Sequence, residues 1–153
     1  MSRSNSSISQ QPSQLTEEQA EQQLNQLVSE IRTLEAYYNE IVSRIQAASN
    51  GLSDFRAAIQ GVDALAQNPK SDLLIPIGGG LLLPVNGVEA NSVILSVGAG
   101  VAIQKDLPSC KVFLQAREKE LERAISGLEQ QRREIGSRLD SARTILQRIT
   151  GQS

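Results

Sequence analysis

A mainly helical fold with a small β insertion follows from three observations on the sequence: it is expected to be a long antiparallel coiled-coil hairpin with two β-hairpins at its closed end. Residues 16–67 and 107–150 each repeat apolar side chains about every 3.5 positions, the spacing of a left-handed coiled coil. Residues 70–105, between them, hold four short apolar segments separated by glycine-rich turns. The two repeats also match in register when one is folded back on the other. Residues 16–153 thus read as one domain, preceded by a polar tail over 1–15 whose Ser, Gln and Asn content predicts disorder.

The first helix is expected to open at Thr16, which with Gln19 three residues on matches a capping box. Its seam runs Ala20, Leu24, Leu27, Ile31, Leu34, Tyr38, Ile41, Ile45, Ala48, Leu52, Phe55, Ile59, Val62 and Ala66. Pro69 lacks an amide hydrogen and disfavours helix in the residue before it, so the helix should end near residue 67. At about 1.5 Å per residue such a helix is a rod of roughly 75 Å.

The second helix should begin between Asp106 and Ser109, with Pro108 suited to a first turn. Its seam is Leu114, Glu118, Leu121, Ile125, Leu128, Arg132, Ile135, Leu139, Ala142, Leu146 and Ile149, ending at Gly151. Pairing residues whose numbers sum to 173 sets Leu24 beside Ile149, Leu27 beside Leu146, Ile31 beside Ala142 and Leu34 beside Leu139. The same rule brings Arg132 to Ile41 and Glu118 to Phe55, where the long charged side chains should run out to water along their stems. Gly51, Gly61, Gly127 and Gly136 inside the helices make the arms bendable, each at about 1 kcal/mol relative to Ala.

The insertion reads as two hairpins. Their strands carry Leu73, Leu74, Ile75 and Ile77; Leu81, Leu82, Leu83 and Val85; Val93, Ile94, Leu95 and Val97; and Val101 with Ile103. Turns are expected at Gly78-Gly79-Gly80, at 86–91 ("NGVEAN") and at Gly98-Ala99-Gly100. Pro76 and Pro84 lie equally far from Gly80 and so should face each other. The triple glycine lacks the Lys-Ser/Thr pair and the strand-then-helix setting of a phosphate loop, so it reads as a turn. Strands that are apolar on both faces cannot be covered by two thin helices, and leaving them wet costs about 25 cal/mol per Å². Neighbouring chains are therefore expected to seal them.

Composition narrows the function. No His and a single Cys, Cys110, leave no soft-ligand metal site and no His-based nucleophile, and the carboxylates fall on polar helix faces or in turns. An enzyme, a cofactor and a metal are not expected. A net charge of −2 gives no electrostatic case for nucleic acid or an anionic membrane surface. No apolar run reaches the roughly 20 residues of a membrane span. A lone cysteine without a signal-like N-terminus fits a reducing cytoplasm.

The phrases "LLIPIGGGLLLPV" (73–85) and "VGAGVAIQKD" (97–106), set between two heptad-repeat helices, closely resemble the archaeal α-subunit family of prefoldin, over residues 16–150. That resemblance implies a hexamer of two α-type and four β-type (prefoldin beta) subunits whose strands close a double β-barrel. It also implies an ATP-independent holdase whose coiled-coil ends keep unfolded polypeptides before a group II chaperonin receives them. At the far ends of the helices Leu15, Leu24, Leu27, Val28, Ile31, Ala142, Ile145, Leu146 and Ile149 form a widened apolar stripe, the expected client-binding surface. A coiled-coil tether or scaffold that oligomerises through its β-hairpins is the alternative. Binding one defined partner rather than many unfolded chains would distinguish it.

Overall fold

A computed structural model of the chain describes residues 12–151. Most of the expected tail, and the side chain of Thr16, lie outside the described residues. Helix α1 spans Pro12–Gln67; strands β1 (Ser71–Gly78) and β2 (Leu81–Val88) form one hairpin, β3 (Ser92–Gly98) and β4 (Val101–Asp106) a second; helix α2 spans Leu107–Thr150. Helix α1 thus starts four residues before the expected cap at Thr16. Proline is favoured at a first helical position, where its missing N–H costs nothing. At the other end Asn68 closes α1, its backbone N–H and side-chain amide both donating to the Ala64 carbonyl at 3.1 Å.

The chain divides into two compact units, one of the described residues up to Ser43 and from Glu129 on, the other Arg44–Leu128. In the first, Ile31, Leu34, Leu139 and Ala142 form a buried cluster, against which Leu27, Ile135 and Leu146 pack. The cluster holds three expected antiparallel pairs, Leu27 with Leu146, Ile31 with Ala142 and Leu34 with Leu139, and Ile41 is buried too, at 6% exposure. A Cβ added at Gly136 would stand 3.6 Å from the Tyr38 ring. That pair lies within one residue of the expected sum.

In the second unit Val62, Leu107, Cys110 and Leu114 form the buried cluster, bordered by Phe55, Ile59, Leu65, Phe113 and, from β3, Val93. Here the seam departs from expectation. Cys110, absent from the expected seam, is its most buried member at 2%, and Leu65 rather than the exposed Ala66 packs inward. A helix of about 3.6 residues per turn drifts from a strict 3.5 repeat. With Val93 packing on this cluster, the buried stripe widens to take Leu107 and Cys110.

Each hairpin is its own two-stranded antiparallel sheet. The turn residues Gly79 and Gly80 have φ of 59° and 79°, and Ala99 and Gly100 have 50° and 75°, the left-handed pair required by a two-residue type I′ turn. Pro76 pairs with Leu82 and Pro84 with Leu74, so the prolines are not opposite each other as expected. The turn is centred between Gly79 and Gly80, and an irregularity between Pro76 and Gly78 takes up one extra residue of β1. Asn86-Gly87 also differs, lying inside β2 rather than in a turn. The Gly87 N–H donates to Asp72 Oδ1 at 3.0 Å, beside a second irregularity between Ser71 and Leu73.

Strand β4 runs straight into α2. Asp106 caps the helix, its Oδ2 accepting the Ser109 N–H at 3.0 Å. That hydrogen bond, then the Ser109 hydroxyl, holds the Asp106 carboxyl below the usual carboxylate range.

Candidate interaction surfaces

Alternation of side chains in a strand decides which strand residues share a face. In the first hairpin one face carries Leu73, Ile75, Leu83 and Val85, and the other carries Leu74, Pro76, Leu82 and Pro84. Both faces are apolar, as the sequence suggests. Leu73 and Val85 are half-buried, whereas Leu74, Ile75, Ile77, Leu81, Leu82 and Leu83 stand 44 to 64% exposed. In the second hairpin Val93, Leu95, Ile103 and Lys105 share one face; Ile94, Ser96, Ala102 and Gln104 share the other. Val93 and Leu95 are half-buried, and Ile94, at 78%, is the most exposed large apolar residue described, with Val97, Val101 and Ile103 also exposed. Both faces of this hairpin are therefore partly polar, one from Lys105 and the other from Ser96 and Gln104.

The second surface lies where the helix pair approaches the chain termini. Ile31 and Ala142 sit inside the coil's own cluster, and Leu24, Leu27, Val28 and Leu146 are half-buried. Ile145 and Ile149 stand 48 and 47% exposed, and Leu15 lies outside the described side chains. An open cleft of about 280 Å³ between Leu27, Glu30, Arg138, Ala142 and Ile145 continues this apolar ground. A wider groove of about 790 Å³ along α2, over Gly136, Ser137, Ser141, Thr144 and Ile145 beneath Tyr38, was not evident from heptads. Its signal is the run of small residues just outside the seam.

The two charged seam residues reach solvent and pair there. Arg132 bonds Glu129 at 2.7 Å, and Glu118 accepts from Arg56 Nε at 2.8 Å while Arg56 Nη2 reaches Glu122 at 2.7 Å. The hydrogen bonds to Glu118 and then Glu122 raise the Arg56 pKa further. Further cross-helix pairs join Lys111 to Asp63 at 2.6 Å and Arg143 to Glu35 at 2.7 Å. Pairs as solvent-accessible as these add little to stability. Among the described residues no group of three or more His, Cys, Asp or Glu is placed to hold a metal ion, and no helix is long and apolar enough to cross a membrane.

Comparison with known proteins gives a consistent answer. The family model described as "Prefoldin subunit" matches residues 44–152. A "Prefoldin subunit alpha" of Nitrosopumilus maritimus is 33% identical over 124 residues, covering 81% of this chain and 86% of that protein. The "Prefoldin subunit alpha" of Methanoculleus marisnigri is 32% identical, covering 74% and 85%. Among solved structures, a filamentous PFD from Methanocaldococcus jannaschii has a TM-score of 0.63 at 17% identity, over 76% of this chain and 95% of that one, a likeness of fold.

Proposed function

The chain belongs to the prefoldin family, whose members are chaperone subunits, and on that premise we propose that it is an α-type subunit of an ATP-independent holdase. It assembles through its four strands with β-type prefoldin subunits, as a hexamer of two α and four β chains. Its coiled-coil end holds unfolded polypeptides and releases them to a group II chaperonin in the cytoplasm. The observation that carries this reading is the apolar surface left in water: ten large apolar side chains on the strands are 37 to 78% exposed. A surface of that kind marks a protein–protein contact. Leu73, Leu74, Ile75, Ile77, Leu81, Leu82, Leu83, Val85, Val93, Ile94, Leu95, Val97, Val101 and Ile103 are the proposed assembly residues, on the turns made by Gly78, Gly79, Gly80, Gly98 and Gly100.

At the client end Ile145 and Ile149 offer immediate contact, flanked by Leu24, Leu27, Val28 and Leu146. Ile31 and Ala142 join them only when the last turns fray. Several such weak contacts on one assembly hold a client by avidity rather than by shape. Replacing Ile145 and Ile149 with Ser, then measuring suppression of aggregation of several unrelated unfolded proteins, tests this. Protection should fall while the assembly mass stays constant. Undiminished protection would place client binding elsewhere, and a wild-type assembly that delays no client's aggregation would leave a tether as the better reading.

A further inference from the structure

The groove on α2 beneath Tyr38 differs from the apolar stripe beside it in charge. Ser137, Ser141 and Ile145 line both this groove, of about 790 Å³, and the cleft of about 280 Å³ next to Leu27 and Ala142, so the two meet along one face of the helix. Ile145, 48% exposed, stands where they meet and offers the apolar contact.

Around Ile145 the arginines fall into two sets. Arg132 and Arg143 already hold carboxylates, those of Glu129 and Glu35, each at 2.7 Å. Arg133 and Arg148, which border the groove, and Arg138, which borders the cleft, are exposed and make no ion pair among the described residues. The acidic residues lining the same two surfaces are Asp140 and Glu30. Three unengaged guanidinium groups against two carboxylates leave a positive excess beside an exposed isoleucine. A basic segment laid there would meet like charge, whereas a carboxylate would find forked donors that suit it.

The floor of the groove suits an extended backbone. Ser141 Oγ donates to the Ser137 carbonyl at 2.9 Å, and Thr144 Oγ1 donates to that of Asp140 at 2.8 Å. Each hydroxyl hydrogen is thus used within the helix, and the oxygen lone pairs remain to accept from another chain's N–H. Arg133 and Arg148 are fifteen residues apart on α2, about 22 Å at 1.5 Å per residue. That length matches about seven residues of extended chain at about 3.3 Å each.

We propose that this groove is a client subsite selective for extended segments with carboxylates on either side of an apolar residue. The arginines take the carboxylates and Ile145 takes the apolar side chain. The inference deepens the reading that the helix ends hold unfolded chains, and rests on it.

The lone cysteine makes a site-specific test possible. Cys110 is 2% exposed, so in a Gln147→Cys chain a thiol-reactive fluorophore attaches beside the groove, at exposed position 147, and not in the core. Assembled with a β-type prefoldin subunit, the labelled full-length chain reports binding at its own arm. The probes are three synthetic peptides with one apolar centre, flanked about seven residues apart by Asp, by Gln or by Lys. At about 50 mM salt the Asp-flanked peptide should bind with a Kd at least about fivefold lower than the Lys-flanked one, and the gap should close by about 0.5 M. Arg133→Glu with Arg148→Glu should reverse the order, and Asp140→Asn should widen it, with helicity and assembled mass unchanged. Equal binding of the three peptides by the wild type, or an order that the double arginine variant leaves intact, would overturn the selection by charge while leaving capture by the helix ends in place. Protection of Arg133 and Arg148 from phenylglyoxal in the client-free assembly would overturn it too, since another arm would then fill the groove. A wild-type assembly that binds no peptide and delays no client's aggregation would remove the underlying reading, and this one with it.

Discussion

Leu114 and Leu74 are the same side chain in opposite surroundings, and shortening each to Ala separates what holds the chain together from what joins it to others. Leu114 is 4% exposed within the cluster of Val62, Leu107 and Cys110. Leu→Ala there removes three buried carbons at about 0.8 kcal/mol each and leaves a cavity, so the expected cost is about 3 kcal/mol. Leu74 is 64% exposed, so only about a third of its transfer energy is at stake in the free chain, about 0.8 kcal/mol, and no cavity forms. In the assembly the rest of Leu74 becomes covered and its penalty should rise to about 2 kcal/mol. Urea unfolding followed by circular dichroism, once in dilute solution and once well above the association midpoint, measures both. The Leu114→Ala penalty should be independent of concentration, and the Leu74→Ala penalty should grow with it. Equal penalties for Leu74→Ala in the two conditions would refute the claim that this face is sealed by another subunit.

Further expectations concern single positions. Ala99 holds a left-handed φ of 50°, where its counterpart in the first hairpin is Gly79, so Ala99→Gly should stabilise the β3–β4 hairpin by about 1 kcal/mol in thermal unfolding. Gly127 has open space where a Cβ would go, and Gly127→Ala should raise helix stability by about 1 kcal/mol, seen as a higher urea midpoint. The Asp106 carboxyl is held below its ordinary range by Ser109, so its stabilising effect is present above the unfolded-state value and lost as pH falls through the lower folded one. The stability gap between wild type and Asp106→Asn should therefore be open at neutral pH and close in acid.

Much of the architecture is legible from residue spacing. Apolar side chains at coiled-coil intervals are there to be covered by a partner helix, so the seam from Leu24 to Val62 and its antiparallel register could be read from the order of residues. The glycine turns could be read as well, because few other residues adopt a positive φ cheaply. The alternation test also found both faces of β1–β2 apolar. What spacing could not supply was which apolar groups stay available. Ile31 and Ala142 fit the client stripe as well as Ile149 does, but packing places the first pair inside the cluster and leaves Ile149 in water. Cys110 carried no visible role until Val93, Leu107 and Leu114 closed around it.

The sequence by itself determined the elements, the helix register and the excess of apolar strand surface, since each follows from local periodicity and backbone preference. Only the tertiary structure decided that Pro76 meets Leu82 rather than Pro84 and that the two hairpins share one register twenty residues apart. Those outcomes depend on where a single extra residue is absorbed in a strand. A bulge costs so little, relative to the ladder it shifts, that no local pattern announces it.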